Sequence, residues 1–274
     1  MRFLFSIIFT VFHLSYLLAE GSQDVVPLND AEYPSTFYRD YFHELRKKAN
    51  RDSVIVWLKD EISKQEQLGH TVNIVNLQII LGQLSRSVSR TDAYLVLENA
   101  LNAARKLDMR YEEALAHLEI GNVYNSVGSK EEALQHFLLA AELSETNNYP
   151  DQAFRAYYHV ANLHYSSDNY KEALAALDKG LHFFSIEEWM ERDKFTTTDV
   201  VSAYNTMGLC YYALQNYPEA IDAYDKGLMV AGKRRSDMWV GLIHGNMGNV
   251  FFKQGKLDSA EMLIKIDLNV SKKH

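Results

Sequence analysis

The strongest constraint on this chain is a block of sequence that returns about every 40 residues. Each block has a marker position, usually Gly or Ala, and an alanine twelve residues after it. The markers, of which the first is degenerate, are Leu81, Gly121, Ala161, Gly208 and Gly248, separated by 40, 40, 47 and 40 residues. The alanines in register with them are Ala93, Ala133, Ala173, Ala220 and Ala260. Self-similarity at a nearly fixed period indicates tandem structural units that stack on one another.

Each block has the residue pattern of two antiparallel helices. Apolar residues recur three and four positions apart, as on one face of an amphipathic helix. A small residue at the marker and at the alanine lets two helix axes approach closely, so that ridges fit into grooves. Four residues after each alanine stands a bulkier residue that would fill the space between units: Leu97, Phe137, Leu177, Tyr224 and Ile264. One hairpin cannot bury its apolar face alone, which predicts a stacked array.

Two of the blocks resemble the tetratricopeptide repeat (TPR). The residues that carry the resemblance are Ile120, Gly121, Tyr124, Gly128, Ala133, Phe137 and Ala140, with equivalents in Met207, Gly208, Tyr211, Tyr217, Pro218, Ala220, Tyr224 and Gly227. The resemblance covers about residues 74–270 and implies an all-α fold, a right-handed superhelical solenoid of about five helix pairs. The usual unit of that family is ~34 residues, so the longer period here predicts longer helices.

The chain divides into four predicted parts. Residues 1–21 are interpreted as a signal peptide, 22–34 as a linker, 35–68 as a divergent N-terminal helix pair and 72–270 as the solenoid. Terminal units of solenoids are atypical because one face meets water. The predicted regular pairs are 72–88 with 91–107, 112–127 with 131–146, 151–166 with 170–184, 200–214 with 218–231, and 237–254 with 258–270.

The first residues have the layout of an export signal. Arg2 precedes an apolar run, and Ala19 and Gly21 supply small residues for a cleavage site. Cleavage is one outcome. The other is an uncleaved membrane tether, because ~20 apolar residues suffice to span a bilayer. In either case the protein is expected to be exported, and therefore periplasmic or membrane-associated.

The 47-residue spacing places seven extra residues near positions 182–199. This segment carries Phe183, Phe184, Trp189 and Phe195. One alternative is a longer helix that packs these aromatic residues onto the next pair. The other is a protruding contact element, because insertions in repeat proteins often lie on one binding face.

The last predicted helix still carries apolar residues near its end, at Leu263, Ile266 and Leu268. A solenoid that stops in this way exposes its last stacking face. A second copy could cover this face, which gives the alternative function of a homo-oligomeric assembly element. The natural chain could also continue past His274, as in the bacterial TPR signalling proteins whose N-terminal sensory part this layout resembles.

The sequence contains no motif for catalysis or nucleotide binding. His117, His164 and His244 occupy positions where other blocks have aromatic residues, so packing explains them better than metal binding. Cys210 lies between packing residues and is interpreted as a small buried side chain. The net charge of −8 does not favour nucleic acid. We therefore predict no enzyme activity, no cofactor, no metal and no nucleic-acid partner.

The resemblance implies that the functional surface is a groove lined by the first helix of each pair. Asn122, Asn162 and Asn249 occupy the same position in three blocks. An Asn side chain both donates and accepts, so it can hydrogen-bond a peptide backbone of any sequence. The alternative is that these are solvated polar residues. The ligand-groove residues that the resemblance implies are Gln78, Arg86, Leu118, Asn122, Asn125, Arg155, Tyr158, Asn162, Tyr165, Asn205, Tyr212, Asn249, Phe252 and Lys253.

The function predicted from these features is a non-catalytic, exported scaffold. Its partner is expected to be a peptide or protein segment held in the groove, and the chain is expected to be the sensory or interaction part of a signalling protein.

Overall fold

The computed structural model describes residues 50–191, 194–233 and 235–273, without the side chains of residues 194–196. The predicted signal peptide, the linker and the first half of the divergent N-terminal pair lie outside the described residues.

Helices make up nearly all of the described chain, and the described residues contain no strand. The helices are α1 (Arg51–Leu68), α2 (Thr71–Ser85), α3 (Arg90–Lys106), α4 (Arg110–Ser126), α5 (Lys130–Thr146), α6 (Pro150–Tyr165), α7 (Tyr170–Leu181), α8 (Ile186–Glu191), α9 (Lys194–Ala213), α10 (Tyr217–Lys233), α11 (Asp237–Lys253) and α12 (Leu257–Ser271). The predicted pairs correspond to α2–α3, α4–α5, α6–α7, α9–α10 and α11–α12. The all-α prediction is therefore confirmed.

The turns between these helices share one geometry. A residue with positive φ ends most of the helices, and the set comprises Gly69, Asp108, Gly128, Asn148, Asp168, Gln215, Arg235 and Gly255. The N–H of the following residue then bonds a carbonyl five residues earlier, as from Met109 to Ala104 and from Lys256 to Phe251, both at 2.9 Å. This is a Schellman motif, which satisfies carbonyls at the helix end. Glycine adopts this conformation without strain, which explains Gly128 and Gly255 in these turns.

The described residues divide into two compact units, unit 1 up to His136 and unit 2 from Phe137 onward, so that the boundary falls within α5. Among the described residues, unit 1 contains α1–α4 and the first part of α5. Its core includes Val75 and Ile79 from α2, Leu97 from α3 and Ile120 from α4, all at most 1% exposed. A Cβ on Gly82 would overlap the Leu97 side chain, so α2 and α3 approach closely at that glycine.

Unit 2 contains the remainder of α5 and α6–α12. A Cβ on Gly208 of α9 would overlap the ring of Tyr224 on α10, and Tyr224 is 1% exposed. A Cβ on Gly248 of α11 would lie 2.7 Å from Cγ1 of Ile264 and 3.2 Å from the Ala260 carbonyl oxygen on α12. The small residues of the repeat therefore stand where paired helices come close, as predicted.

The extra residues of the 47-residue spacing form a short helix, α8, and also extend α9, which begins at Lys194 and is 20 residues long. Trp189 of α8 is fully buried, and its ring centroid lies 4.6 Å from that of Phe154 and 4.7 Å from that of Phe184. The indole N–H donates to the Leu181 carbonyl at 3.1 Å. The tryptophan is therefore an anchor that packs the insertion onto unit 2.

The last helix buries one side only. Ala260 and Leu263 are buried, whereas Leu257, Met262 and Leu268 are 60%, 60% and 50% exposed. Ile264 is also exposed, unlike the residues at the equivalent position of the earlier repeats. The apolar end predicted from the sequence is present in the structure.

Candidate functional site

The first helices of successive hairpins are neighbours within each unit. In unit 1, α2 packs beside α4, and in unit 2, α9 packs between α6 and α11. We call the polar surfaces of these helices the first-helix face of unit 1 and the first-helix face of unit 2. Most of the ligand-groove residues predicted from the sequence lie on these helices.

A buried carboxylate organises the first-helix face of unit 1. Glu119 of α4 is 4% exposed. Its Oε1 accepts from Gln83 Nε2 at 2.9 Å, and its Oε2 accepts from Asn122 Nδ2 at 3.2 Å and from Arg86 Nη1 at 3.4 Å. A buried charge is costly unless it is paired and hydrogen-bonded, so these donors stabilise it. The carboxylate therefore holds the end of α2 against α4.

The predicted groove residues of unit 1 occupy different environments. Glu119 brings Arg86 and Asn122 together. Gln78 is half-buried, and its Oε1 is inaccessible and has no hydrogen-bond partner among the described residues. Asn125 is exposed at the end of α4. Leu118 is 1% exposed, so it is a core residue, and its side chain is not available to a ligand.

Polar contacts connect all three first helices of unit 2. Tyr158 of α6 shares a 2.6 Å hydrogen bond with Ser202 of α9. On the same pair of helices, Arg155 Nε lies 4.0 Å from Asp199 Oδ2. Asn246 Nδ2 of α11 then donates to Asn205 Oδ1 of α9 at 2.8 Å.

The remaining predicted residues of unit 2 are accessible. Asn162, Tyr165 and Tyr212 are half-buried, whereas Asn249 and Lys253 are exposed. Phe252 is 59% exposed, which is unusual for a phenylalanine side chain. Asn205, by contrast, is 8% exposed and offers little surface beyond its bond to Asn246.

Sequence reasoning missed several residues of these faces: Gln83, Glu119, Asp199, Ser202 and Asn246. The position of Ser202 corresponds to that of Arg155 one repeat earlier, so the period itself could have identified it. Nothing in the sequence marks Glu119 as buried, because two of its three donors, Gln83 and Arg86, come from the end of α2, whose rotation relative to α4 the repeat does not specify.

The other chemistry-bearing residues do not assemble a reactive site in the described part of the chain. No group of three His, Cys, Asp or Glu side chains there could hold a metal ion. Cys210 is fully buried, and burial raises the pKa of its thiol to about 12, in keeping with a packing role. None of the described helices is long and apolar enough to cross a membrane.

A concavity among the described residues lies away from the first-helix faces. It is an open depression of about 380 Å³ lined by Phe184, Glu187, Glu188 and Glu191. A bound extended segment would need a long face with alternating polar and apolar groups, and this depression is short and lined by only four residues, of which the three polar ones are all glutamates. The row of polar contacts in unit 2 is therefore the better candidate site.

Comparisons with known proteins agree with this architecture. The sequence profile of the tetratricopeptide repeat matches residues 201–232, which form most of the α9–α10 hairpin. A solved structure of BtubC (BKLC) from P. vanneervenii is 15% identical, covers 82% of this chain and 92% of that chain, and has a TM-score of 0.70. A Rap protein complexed with Competence and Sporulation Factor is 18% identical, covers 94% of this chain and 80% of that chain, and has a TM-score of 0.65.

One curated relative is similar in sequence. It is the response regulator aspartate phosphatase J of Bacillus subtilis (strain 168), 32% identical over 119 residues, or 43% of this chain. The matched region spans 31% of the length of that relative. The similarity therefore extends over part of a longer protein.

Proposed function

Because the chain has the fold of a tetratricopeptide-repeat solenoid and residues 201–232 match the profile of that repeat, we propose that it is a non-catalytic scaffold that binds an extended peptide or protein segment on the first-helix face of unit 2. The observation that carries the proposal is the row of polar side chains that runs across three consecutive first helices. The contacts Tyr158–Ser202 and Asn246–Asn205 fix these helices relative to one another. A preorganised face loses less entropy when it binds a ligand.

The exposed groups of this face suit a peptide backbone. Asn162 and Asn249 each offer two donors and an acceptor, which match the C=O and N–H groups of an extended chain. Tyr165, Tyr212 and Phe252 supply aromatic surface for ligand side chains. Neighbouring packed helices lie ~8–10 Å apart, so α6 to α11 span roughly 16–20 Å, the length of about five or six extended residues.

Two of the similar proteins also support a binding role. A solved protein of this fold was obtained complexed with Competence and Sporulation Factor. A relative in sequence is named for response regulators. On this basis we include in the proposal that the chain is the sensory or interaction part of a signalling system.

The test is a selection of linear peptides from a random display library against the full chain. Asn162→Ala should weaken a selected peptide about tenfold, because one or two backbone hydrogen bonds are lost. Asn269→Ala is the matched control, since Asn269 is exposed on α12, outside the first-helix face. Equal dissociation constants for wild type and Asn162→Ala would contradict the assignment.

Export is a separate part of the proposal. Residues 1–21 combine Arg2, an apolar run and small residues near position 20, the composition of a signal peptide. The test is the mass of the protein recovered from the cell envelope and from the exterior. A chain that begins near Ser22 supports cleavage, whereas an intact N-terminus in the cytosol contradicts export.

Self-assembly is the second candidate function, and the exposed apolar side chains of α12 favour it. Leu257, Met262 and Leu268 would be covered if two copies paired through this helix. Light scattering on the wild type and on Leu268→Glu tests this candidate. A dimer that the substitution dissociates supports it, and a wild-type monomer at high concentration excludes it.

A further inference from the structure

A chain of three basic side chains joins α3, α4 and α5 inside unit 1. Nη2 of Arg105 lies 2.9 Å from Nε2 of His117, and Nδ1 of His117 lies 3.0 Å from Nδ1 of His136. The two imidazole centroids are 5.1 Å apart. His117 is 2% exposed and His136 is half-buried. The proposed binding function uses none of these residues.

The hydrogen bonds fix where each proton must be. A guanidinium group only donates, so Nε2 of His117 must accept from Arg105 and carry no proton. Neutral His117 then has its proton on Nδ1 and donates it to His136. Nδ1 of His136 must therefore accept, which leaves the proton of His136 on Nε2. Only this arrangement, with both imidazoles neutral, satisfies the two contacts.

An added proton has no compatible position. On His117 it would place Nε2–H against the guanidinium N–H of Arg105. On His136 it would place Nδ1–H against Nδ1–H of His117. If His117 changed tautomer to accept that proton, its own Nε2–H would again face Arg105. Protonation of the pair therefore breaks at least one of the two contacts.

The charged groups around the pair have opposing effects. Glu98 and Arg105 face it from α3, Glu113 from α4, and the ring of Tyr124 lies 5.5 Å from that of His136. Glu113 already accepts from Arg105 Nε and from Arg110 Nη1, both at 2.9 Å, so its charge is largely engaged. Glu98 favours protonated His136, whereas burial and Arg105 disfavour it.

We propose that Arg105, His117 and His136 form an acid-sensitive latch, closed at neutral pH, that opens in weakly acidic medium and loosens the contact between α4 and the start of α5. His136 is the side chain that moves, because it is already partly exposed and can turn to solvent. His117 stays enclosed until α4 itself is released.

The pKa directions agree with this geometry. Burial, then the neighbouring His136 and Arg105, lower the pKa of His117 to about 4, although Glu113 acts in the opposite sense. Burial is also the main cause that lowers the pKa of His136. A histidine released to solvent has a pKa near 6.5, so lowering the pH below about 6.5 increasingly favours the open form.

Imidazole NMR on the full chain tests the proton positions directly. At pH 7.5 the long-range ¹H–¹⁵N pattern should show the Nδ1–H tautomer for His117 and the Nε2–H tautomer for His136. The Nε2–H tautomer on His117 would overturn the proposal. This measurement needs no variant, so it tests the predicted proton positions even if a substitution prevents folding.

Hydrogen exchange tests the opening. Protection factors of α4 amides, corrected for intrinsic exchange, should fall roughly 20-fold in the wild type between pH 7 and pH 5. His117→Phe should lose most of this fall, and His136→Phe should reduce it. The control His182→Phe, at an exposed position after α7, should retain it. An identical fall in the wild type and both latch variants would overturn the proposal.

Discussion

Replacement of Gly208 by alanine is the sharpest test of how these hairpins pack. An added Cβ would overlap Cε1 of Tyr224 and would lie 2.6 Å from Cδ1 and 2.7 Å from Cζ. Tyr224 is 1% exposed, so its ring has no free space into which it can turn. Overpacking of this kind costs ~1–3 kcal/mol, and three overlapping ring atoms place it at the upper end. The better helix propensity of alanine offsets about 1 kcal/mol of this cost, so the net loss of unfolding free energy is ~1–2 kcal/mol.

Gly232 provides the matched control. It lies on α10 of the same unit, and a Cβ there would meet nothing within 4 Å. Gly232→Ala should therefore be neutral or stabilising by up to about 1 kcal/mol. Urea denaturation followed by circular dichroism at 222 nm measures both variants. If Gly208→Ala were as stable as Gly232→Ala, close approach at the repeat marker would not explain the glycine.

Three further predictions concern buried side chains. The folded pKa of His117, about 4, lies below its unfolded value of 6.5, so its contribution to stability is complete above pH 6.5 and declines as pH falls towards 4. The loss should be about 3 kcal/mol in urea titrations, and His117→Phe should remove it. Cys210 should not react with a thiol reagent at pH 8 until the chain is unfolded, because it is buried and protonated; rapid labelling of the folded protein would contradict this. Trp189→Ala should cost ~3–5 kcal/mol of unfolding free energy, because a fully buried indole leaves a cavity; a change below about 1 kcal/mol would show that α8 is not anchored by this side chain.

The sequence predicts the helices well because each packing position occurs in several copies of the repeat. Ala93, Ala133, Ala173 and Ala220 are all fully buried, and the predicted pairs agree with the observed helices to within a few residues at most ends. The exception is α9, which begins at Lys194 instead of near residue 200. The extra residues around it have no second copy in the chain, so the period could not locate its start.

The first-helix faces are less predictable for a physical reason. Whether a side chain is exposed depends on the rotation of each helix relative to the next. Asn205 is buried and bonded to Asn246, whereas Asn249 is exposed. Leu118 shows the same limit, because the resemblance places it in the groove and the structure places it in the core. The ligand contacts of the accessible residues stay predictions.

Photo-crosslinking tests the account most directly. A peptide selected against the full chain and carrying a benzophenone side chain would be irradiated in complex with the protein, and the attachment sites would be identified by mass spectrometry. We predict attachment on α6, α9 and α11, at or beside Asn162, Tyr212 and Phe252. Attachment confined to α7, α10 and α12 would contradict binding on the first-helix face.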